Sequence, residues 1–493
     1  MVACIDAGTA RATYGAVSTT DLAGNSRAVD TVDIGCYENQ KDEPEVTIGA
    51  ASGTFLMPCS VQVQSAVSGL SGDKSYRWTL TNVTTGAEPI VFEDAGATLS
   101  AENLAAGVYD VALTVSSGGE SHSAVTKAGL FQVAPTDVYT ADKNANAQFP
   151  YATPETAAAT IHAAVDAAID GTTVHVLAGT YDTTSSISIH KAVSIVGETG
   201  KPEDAMIRAS NNSRAIYLNC ENSFVANLTL SGSSQGNGKT VCVEGQGGVV
   251  SNCVIQSEAY GATWGTCGMA YGVNALFTHC VFRGYCRVST GDNPAGGVAI
   301  KLANTSRLEN SIITNITTAT DRGNGHVVAA LSHSSVVNCT IAASVMPNPT
   351  STGLNIDGTS TATNCVVYGV VATVPQYEYI DNLDGTITTN QVESLHPAAP
   401  WSGTAANFVN CATDGDAAIN GTCLRIDEGA KFFNDYANGD YTPKAGGPLV
   451  NAGAEYDDMA SVDLAGKNRK VGKYIDIGCY ECQKEKGLFI YVR

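Results

Sequence analysis

Basic charge is the first thing this chain is short of. It carries 27 Lys and Arg against 48 Asp and Glu, a formal net charge of −21 that is spread along the 493 residues. Such a surface repels phosphate backbones and anionic headgroups, so neither nucleic acid nor a membrane surface is expected as a partner. Long apolar runs are missing too. No stretch of 18 or more apolar residues occurs, so no segment is expected to cross a bilayer as a helix. The opening residues have neither the basic nor the apolar region of a secretion signal. Zinc-type cysteine spacing is absent: of 15 cysteines, only Cys479 and Cys482 form a C-x-x-C pair, and it stands alone.

What is plentiful is small and turn-forming. Charged residues make up 15% of the chain, while Gly alone occurs 50 times. Gly and Asn tolerate the left-handed backbone of tight turns, so the composition suits many short strands. The length allows two or three domains.

Two stretches near the ends match. Asp21-Leu22-Ala23-Gly24 and Arg27 return as Asp463-Leu464-Ala465-Gly466 and Arg469, and Asp33-Ile34-Gly35-Cys36-Tyr37-Glu38 returns unchanged at Asp476 to Glu481. Ile5-Asp6-Ala7-Gly8 corresponds to Val450-Asn451-Ala452-Gly453, at offsets that stay between 442 and 445. The C-terminal copy closes a long repetitive region, and a cap with nothing to cap exposes its apolar face. Residues 1–44 are therefore expected to be the end of an upstream repetitive region and the chain a fragment of a larger protein. A free-standing N-terminal module is the alternative.

Residues 45–135 alternate in short strands: Ser60 to Val67, Ser75 to Leu80 with Trp78 as core anchor, and Ala105 to Val115. An immunoglobulin-like β-sandwich is predicted. From Thr156 to Asp170 the apolar residues Ile161, Val165 and Ile169 recur every four, giving a capping helix of about four turns. Thr172 to Tyr181 then switches to period two.

Beyond residue 200 one phrase keeps returning: Asn227-Leu228, Asn252-Cys253, His279-Cys280, Asn310-Ser311, Asn338-Cys339, Asn364-Cys365 and Asn410-Cys411, each followed by a short strand. The spacings are 25, 27, 31, 28, 26 and 46 residues, the range of solenoid coils. Stacked coils bring equivalent residues about 4.8 Å apart. The Asn then sits at a corner and bonds its copies above and below, the next residue points inward, the third outward and the fourth inward. The fold class is thus all-β: a right-handed parallel β-helix, a single-stranded solenoid of roughly eleven coils with an axis on the order of 50 Å. Five of the 15 cysteines share the inward register. They are read as a buried thiol stack, with occasional disulfides between neighbouring rungs as the alternative.

The segment from Thr160 to Ala168 followed by Ala178-Gly179-Thr180-Tyr181 resembles the N-terminal cap of pectin-lyase-like right-handed β-helix proteins. Asn438-Gly439-Asp440-Tyr441, Pro448 to Gly453, Asp463 to Gly466 and Asp476 to Glu481 resemble the end of the choice-of-anchor Q domain of large exported bacterial proteins, with Cys36 and Cys479 where that phrase usually has Ala. Gly107 to Val115 after the Trp strand is similar to polycystic-kidney-disease-type immunoglobulin-like modules, which act as spacers or weak sugar-binding modules. These resemblances imply a β-helix over residues 136–483 with a tail at 484–493, export, and an extracellular or bacterial cell-surface place. They imply no particular reaction.

The function expected is therefore a non-catalytic, adhesin-like structural protein, a monomeric rod with a polysaccharide or host-surface glycan as its partner. A carbohydrate-active enzyme, polysaccharide lyase or hydrolase, or a glycan-binding module on the lateral face is the alternative. Its catalytic candidates are Arg283, Arg287, Asp292, Asp321 and His326, an acid–base set on neighbouring coils that a polar external loop explains equally. Tyr260, Trp264, Tyr271 and Tyr285 are the candidates for stacking on sugar rings, against packing beneath an insertion loop. No cofactor or metal is expected; calcium at Asp381-Asn382-Leu383-Asp384-Gly385 is the alternative, although that loop lacks the regular ligands and closing Glu.

Overall fold

The computed structural model describes residues 20–23 and 45–483, apart from 52–54, 119, 211–212, 233–238, 258–265, 287–296, 319–325, 347–349, 382–386, 416–419 and 426–430. Of the N-terminal copy only Thr20 to Ala23 fall among the described residues; the rest of 1–44 and the tail 484–493 lie outside them. The chain divides into two compact units, Met1–Val133 and Ala134–Arg493.

In the first unit two antiparallel sheets face each other. Glu45–Ile48, Ser60–Ser68 and Thr98–Glu102 make one; Phe55–Leu56, Lys74–Asn82, Ile90–Glu93, Gly107–Ser117 and Glu120–Ala134 make the other. Gly107–Ser117 alternates buried and half-buried residues. Its Tyr109, Val111, Leu113 and Val115 therefore meet Val61, Val63, Trp78 and Leu80 in one core. Trp78 is fully buried and donates its indole N–H to Gly96 O at 3.0 Å. Gly107 sits at φ +147°, and any Cβ there would collide with the amide of Asn82. That amide is itself committed, donating to Ala106 O and accepting the N–H groups of Thr84 and Thr85.

In the second unit the coiling strands run parallel and fall into three sheets, which we call the first, second and third faces in the order the chain visits them. They begin at Asp137–Thr140, Gly179–Thr183 and Ser188–Ile189 and end at Phe408–Val409, Leu424–Arg425 and Ala399–Ser402. Every coil meets the next in parallel register, for example Val174 opposite Ile195, Ile207 opposite Leu230 and Ile216 opposite Val241. This is the right-handed parallel β-helix class that the repeating phrase predicts. Among the described residues the third face has eight strands, which mark eight complete coils and not the eleven expected. Two stretches that length alone would assign to coils do other work. The second half of Val366–Asp381, from Val371 on, forms an antiparallel ribbon with Ile387–Pro397, and the residues beyond 430 leave the helix altogether.

The capping helix is also shorter than its periodicity suggests. Only Ile161–Ala167, here α1, is helical, with Thr160 accepting Ala163 N–H as N-cap. Ala158 is drawn instead into a parallel bridge with Thr140. At the other end Ala168 turns extended, and the Lys191 ammonium takes up the carbonyls of Val165, Asp166 and Ala168. Ile161, Ala164 and Val165 still close the first layer of the interior.

The interior is a set of stacked files. Val174, Ile195, Val225, Val250, Phe277, Leu308, Val336, Ala362 and Phe408 form the first face's file, all fully buried. Each such side chain contributes about 1.5–3 kcal/mol of burial. Between first and second faces the corner is always two residues, from Asn227-Leu228 to Asn410-Cys411. Its first residue is left-handed in each of these seven coils, with φ between +45° and +61°. Asn adopts that backbone at low cost because its short polar side chain bonds locally. The turn aims its N–H along the axis: Asn310 donates to Val337 O, Asn338 to Thr363 O and Asn364 to Val409 O. The side chains form a ladder, Asn338 Nδ2 to Asn310 Oδ1 at 3.2 Å and Asn364 Nδ2 to Asn338 Oδ1 at 2.9 Å. A second ladder, at the corner between third and first faces, uses Ser306, Ser334 and Ser360, all fully or almost fully buried. The Ser334 N–H donates to Ser360 Oγ at 3.0 Å.

The C-terminal segment does not close the end of the helix. It runs back along the outside as a strap. Ala452 O accepts from Asn410 Nδ2, Ala454 exchanges two bonds with Asn364, the Tyr456 hydroxyl meets Asn338 Nδ2, and Val462 O faces His279 Nε2. On the second face's outer side Ile312, Ala342, Val366 and Ala412 pack against Phe432, Phe433, Tyr441, Leu449 and Ile477. The residues shared by the two sequence copies pin the strap's own turns. Asp463 accepts Ala465, Lys467 and Glu481 N–H; Asp476 accepts Asn451 and Cys482 N–H; Glu481 accepts Val471 and Asp476 N–H. Buried Arg469 donates to Gly478 O and Asp476 O. In the N-terminal copy Ala23 N–H donates to Asp21 Oδ1 at 2.9 Å, as Ala465 does to Asp463.

Two outcomes follow from the corner and the strap. Asn364→Ala strands Ala454 and Asn338 partners and places Ala at φ +53°. Denaturant unfolding should register a loss of about 3 kcal/mol or more, and Asn364→Gly about 1 kcal/mol less because it relieves the backbone term alone. Burial pushes the Glu481 carboxyl up to about 7, against the pull of the Asp476 N–H. The folded state thus holds a proton that the unfolded state releases near pH 4.3, so stability should fall as pH rises from about 4.3 to about 7 and then level. Thermal melting across that window should lose this slope in Glu481→Gln.

Candidate functional site

Apart from a seven-residue corner at 198–204 in the second coil, coil length varies mainly at one place. The corner between first and second faces is two residues from the third coil onward, and that between third and first faces is four or five. Between second and third faces the connection ranges from four residues after Thr183 to ten after Cys286, and in the eighth coil the ribbon replaces it. An insertion at one corner leaves the stack above and below undisturbed, which is why binding surfaces of solenoids gather on such an edge. Strands of the second face also lengthen towards this corner, from four residues at Val254–Ser257 to seven at Ile312–Thr318 and Thr340–Met346.

Five of the nine candidate residues fall in these connections. Tyr260, Trp264, Arg287, Asp292 and Asp321 lie outside the described residues, as does most of the Asp381-Asn382-Leu383-Asp384-Gly385 loop at the ribbon's turn. Tyr285 belongs to the strand Val281–Cys286, opposite Thr317, with its side chain outside the description. Arg283 is exposed on the outer side of the same strand and donates to Gln256 Oε1 of the preceding coil at 3.1 Å. His326 opens a third-face strand and is 8% exposed. Its Nδ1 accepts the Thr352 N–H at 3.3 Å and lies 2.7 Å from the Thr352 hydroxyl, so it ties one coil to the next. Arg283 and His326 thus stand on different faces. Tyr271 stands apart from the variable corner: it follows the third-face strand Thr266–Ala270 on the way back to the first face, half-buried, with the Lys301 ammonium 5.8 Å from its ring.

Two clusters escaped sequence reading. Tyr217, on the outer side of the third face, carries the Arg214 guanidinium 4.5 Å over its ring and donates its hydroxyl to Glu244 at 2.5 Å. With Tyr271 two coils further on, it makes an aromatic and charged strip on that side. On the first face His175 lies between two carboxylates, Glu198 at 2.6 Å from Nδ1 and Asp137 at 2.8 Å from Nε2, with Tyr139 stacked on the ring. The Thr136 hydroxyl, then His175, hold the Asp137 carboxyl below its usual range. The carboxylates address opposite edges of the imidazole and do not converge. Parallel register alone juxtaposes these residues, and no local motif announces them.

The cysteine file offers neither nucleophile nor metal ligand. Cys253, Cys280, Cys339, Cys365 and Cys411 are free, buried thiols, and each S–H finds a main-chain carbonyl such as Thr278 O for Cys280 and Thr363 O for Cys365. Burial pushes Cys253 up to about 12 and Cys280, Cys365 and Cys411 well above the usual thiol range, so the reactive thiolate is suppressed. Among the described residues no group of three or more His, Cys, Asp and Glu is arranged to hold a metal ion, and no helix is long and apolar enough to cross a membrane.

Fold and surface together define a parallel β-helix protein with one variable edge. No protein-family model and no curated protein matches the chain. Among solved structures it is similar to the crystal structure of pectate lyase Pel9A, with 13% identity and a TM-score of 0.39 over 70% of this chain and 96% of that one. It is also similar to the family 28 exopolygalacturonase of Yersinia enterocolitica, with 11% identity and a TM-score of 0.16 over 76% and 86%. Both likenesses are distant.

The suppressed thiols give a direct check. Alkylation of the native protein at pH 8 should leave Cys253, Cys280, Cys339, Cys365 and Cys411 unmodified by peptide mass mapping, whereas denatured protein should react at all five. Modification of two or more in the native state would contradict the sealed interior.

Proposed function

We propose that this chain is a non-catalytic, exported cell-surface protein of adhesin-like kind, with its β-helix as a rigid scaffold and its sandwich as a spacer. The observation that carries the reading is the strap bonded to the asparagine corner of coil after coil, which stiffens the solenoid along its length while leaving one edge free to vary. Resemblance of that strap to the choice-of-anchor Q ending, and of the sandwich to polycystic-kidney-disease-type modules, supports a bacterial extracellular or surface location. The protein works as a monomer, and a polysaccharide or host-surface glycan is held at the variable edge, where Tyr260, Trp264 and Tyr285 offer rings for stacking.

A carbohydrate-active enzyme is the second reading. It is favoured by one fact: from the third coil onward, length varies most in the connections that contain Arg287, Asp292 and Asp321 and that border Arg283 and His326. A glycan array probed with the full chain separates the two. Binding without turnover is expected, with Trp264→Ala reducing capture roughly tenfold or more, as losing a desolvated aromatic contact would. Unsaturated product or new reducing ends from any bound polysaccharide would replace the scaffold reading with a lyase or a hydrolase.

A further inference from the structure

Where the strap leaves the last asparagine corner it borders an open, shallow cleft of about 400 Å³, lined by Asn410, Asn451, Glu455 and Tyr474 with Ala452 to Ala454. Tyr474 is 44% exposed. Its main-chain N–H donates to Asn451 Oδ1 at 2.9 Å, which fixes the base of the side chain, and the Lys473 ammonium lies 4.9 Å from the ring centroid. Glu455 pairs with Lys470 at 2.7 Å, and the Asn410 amide is pinned to Ala452 O at 3.1 Å.

We infer that this cleft binds a neutral saccharide, one pyranose ring seated against Tyr474. The size falls in the range of small-molecule sites, about 300–1,000 Å³. With the Lys473 ammonium over one face, the exposed remainder of the Tyr474 ring supplies the apolar surface that the C–H side of a sugar ring needs. Asn410, Asn451 and Glu455 offer amide and carboxylate groups at its rim, where sugar hydroxyls both donate and accept. Glu455, the charged residue of the lining, is neutralised by Lys470, so the lining suits an uncharged sugar, and the net charge of −21 disfavours an acidic one at longer range.

The sequence itself contains a control. Two residues after its glycine, the N-terminal copy has Ala10 where the strap has Glu455; two residues before its Asp-Ile-Gly phrase it has Thr31 where the strap has Tyr474. The Asp, Arg and Glu that pin the turns are kept in both copies. The repeated phrase thus recurs in sequence without Tyr474 or Glu455, and the exposed Tyr474 ring is free to serve a ligand. The site is remote in sequence from the variable edge and stands or falls separately from the proposed function.

Saturation-transfer NMR on the full chain tests it, with glucose, galactose, mannose and N-acetylglucosamine as probes and glucuronate as the acidic comparison. Transfer to at least one neutral sugar at millimolar concentration is expected. Tyr474→Ala should weaken it at least about tenfold, while Tyr474→Phe, which keeps the ring, should retain it. Melting curves should be unchanged in both, since the side chain is exposed. The inference is overturned if no neutral sugar shows transfer, if only glucuronate does, or if binding survives Tyr474→Ala.

Discussion

The two-residue corner between the first and second faces is the constraint from which the rest of the β-helix follows. Stacked coils must return to the same corner with the same rotation, and in the seven coils from Asn227 to Asn410 two residues turn the chain there with the first left-handed. That turns its N–H along the axis to the next coil and leaves its side chain pointing at its own copy one rung away. Asn satisfies both demands at once, which is why it occupies six of the seven corners from Asn227 to Asn410 and His279 the other. With that corner fixed, the following residue must face inward, and the interior files of Val, Ile, Phe and Cys are a consequence.

A ladder of amides on the surface of a solenoid leaves donors and acceptors at its outer edge, and the second face leaves an outward apolar patch, the row of Ile312, Val366 and Ala412 with Ala342 beside it. The strap answers both. Its carbonyls and the Tyr456 hydroxyl take the Asn donors, and its Phe432, Phe433, Tyr441 and Leu449 cover the apolar row. The strap holds its own shape through buried Asp463, Asp476, Glu481 and Arg469, whose bonds are to main-chain groups within the strap. Burial of Glu481 and Asp476 raises both carboxyls, so this bracing responds to pH. The thiols of the interior file are sealed from solvent.

Such a division of labour separates scaffold from function. From the third coil onward two corners stay nearly constant in length, one at the asparagine ladder and the other at the serine ladder, and what varies most is the edge between second and third faces. The catalytic and sugar-stacking candidates other than Tyr271 lie in or beside that edge. The described members do scaffold work as well, Arg283 bonding Gln256 and His326 joining Thr352 across coils. The cleft beside Tyr474 belongs to the strap and owes nothing to the variable edge.

By itself the sequence determined the repeat, the face each residue of the phrase presents, the Asn ladder, the inward thiols and the strands around Trp78. These are legible because they are periodic: a coil of near-constant length repeats its own local chemistry every 25 to 31 residues. Only the tertiary structure decided how many coils there are, since a ribbon and a strap consume residues that spacing alone counts as coils. It alone turned an expected end cap into a lateral brace, cut α1 to seven residues because Ala158 pairs with Thr140, and brought Asp137, His175 and Glu198 together. Those contacts join residues tens to more than a hundred positions apart, and nothing periodic encodes them. They arise from which surfaces the stacked coils leave uncovered.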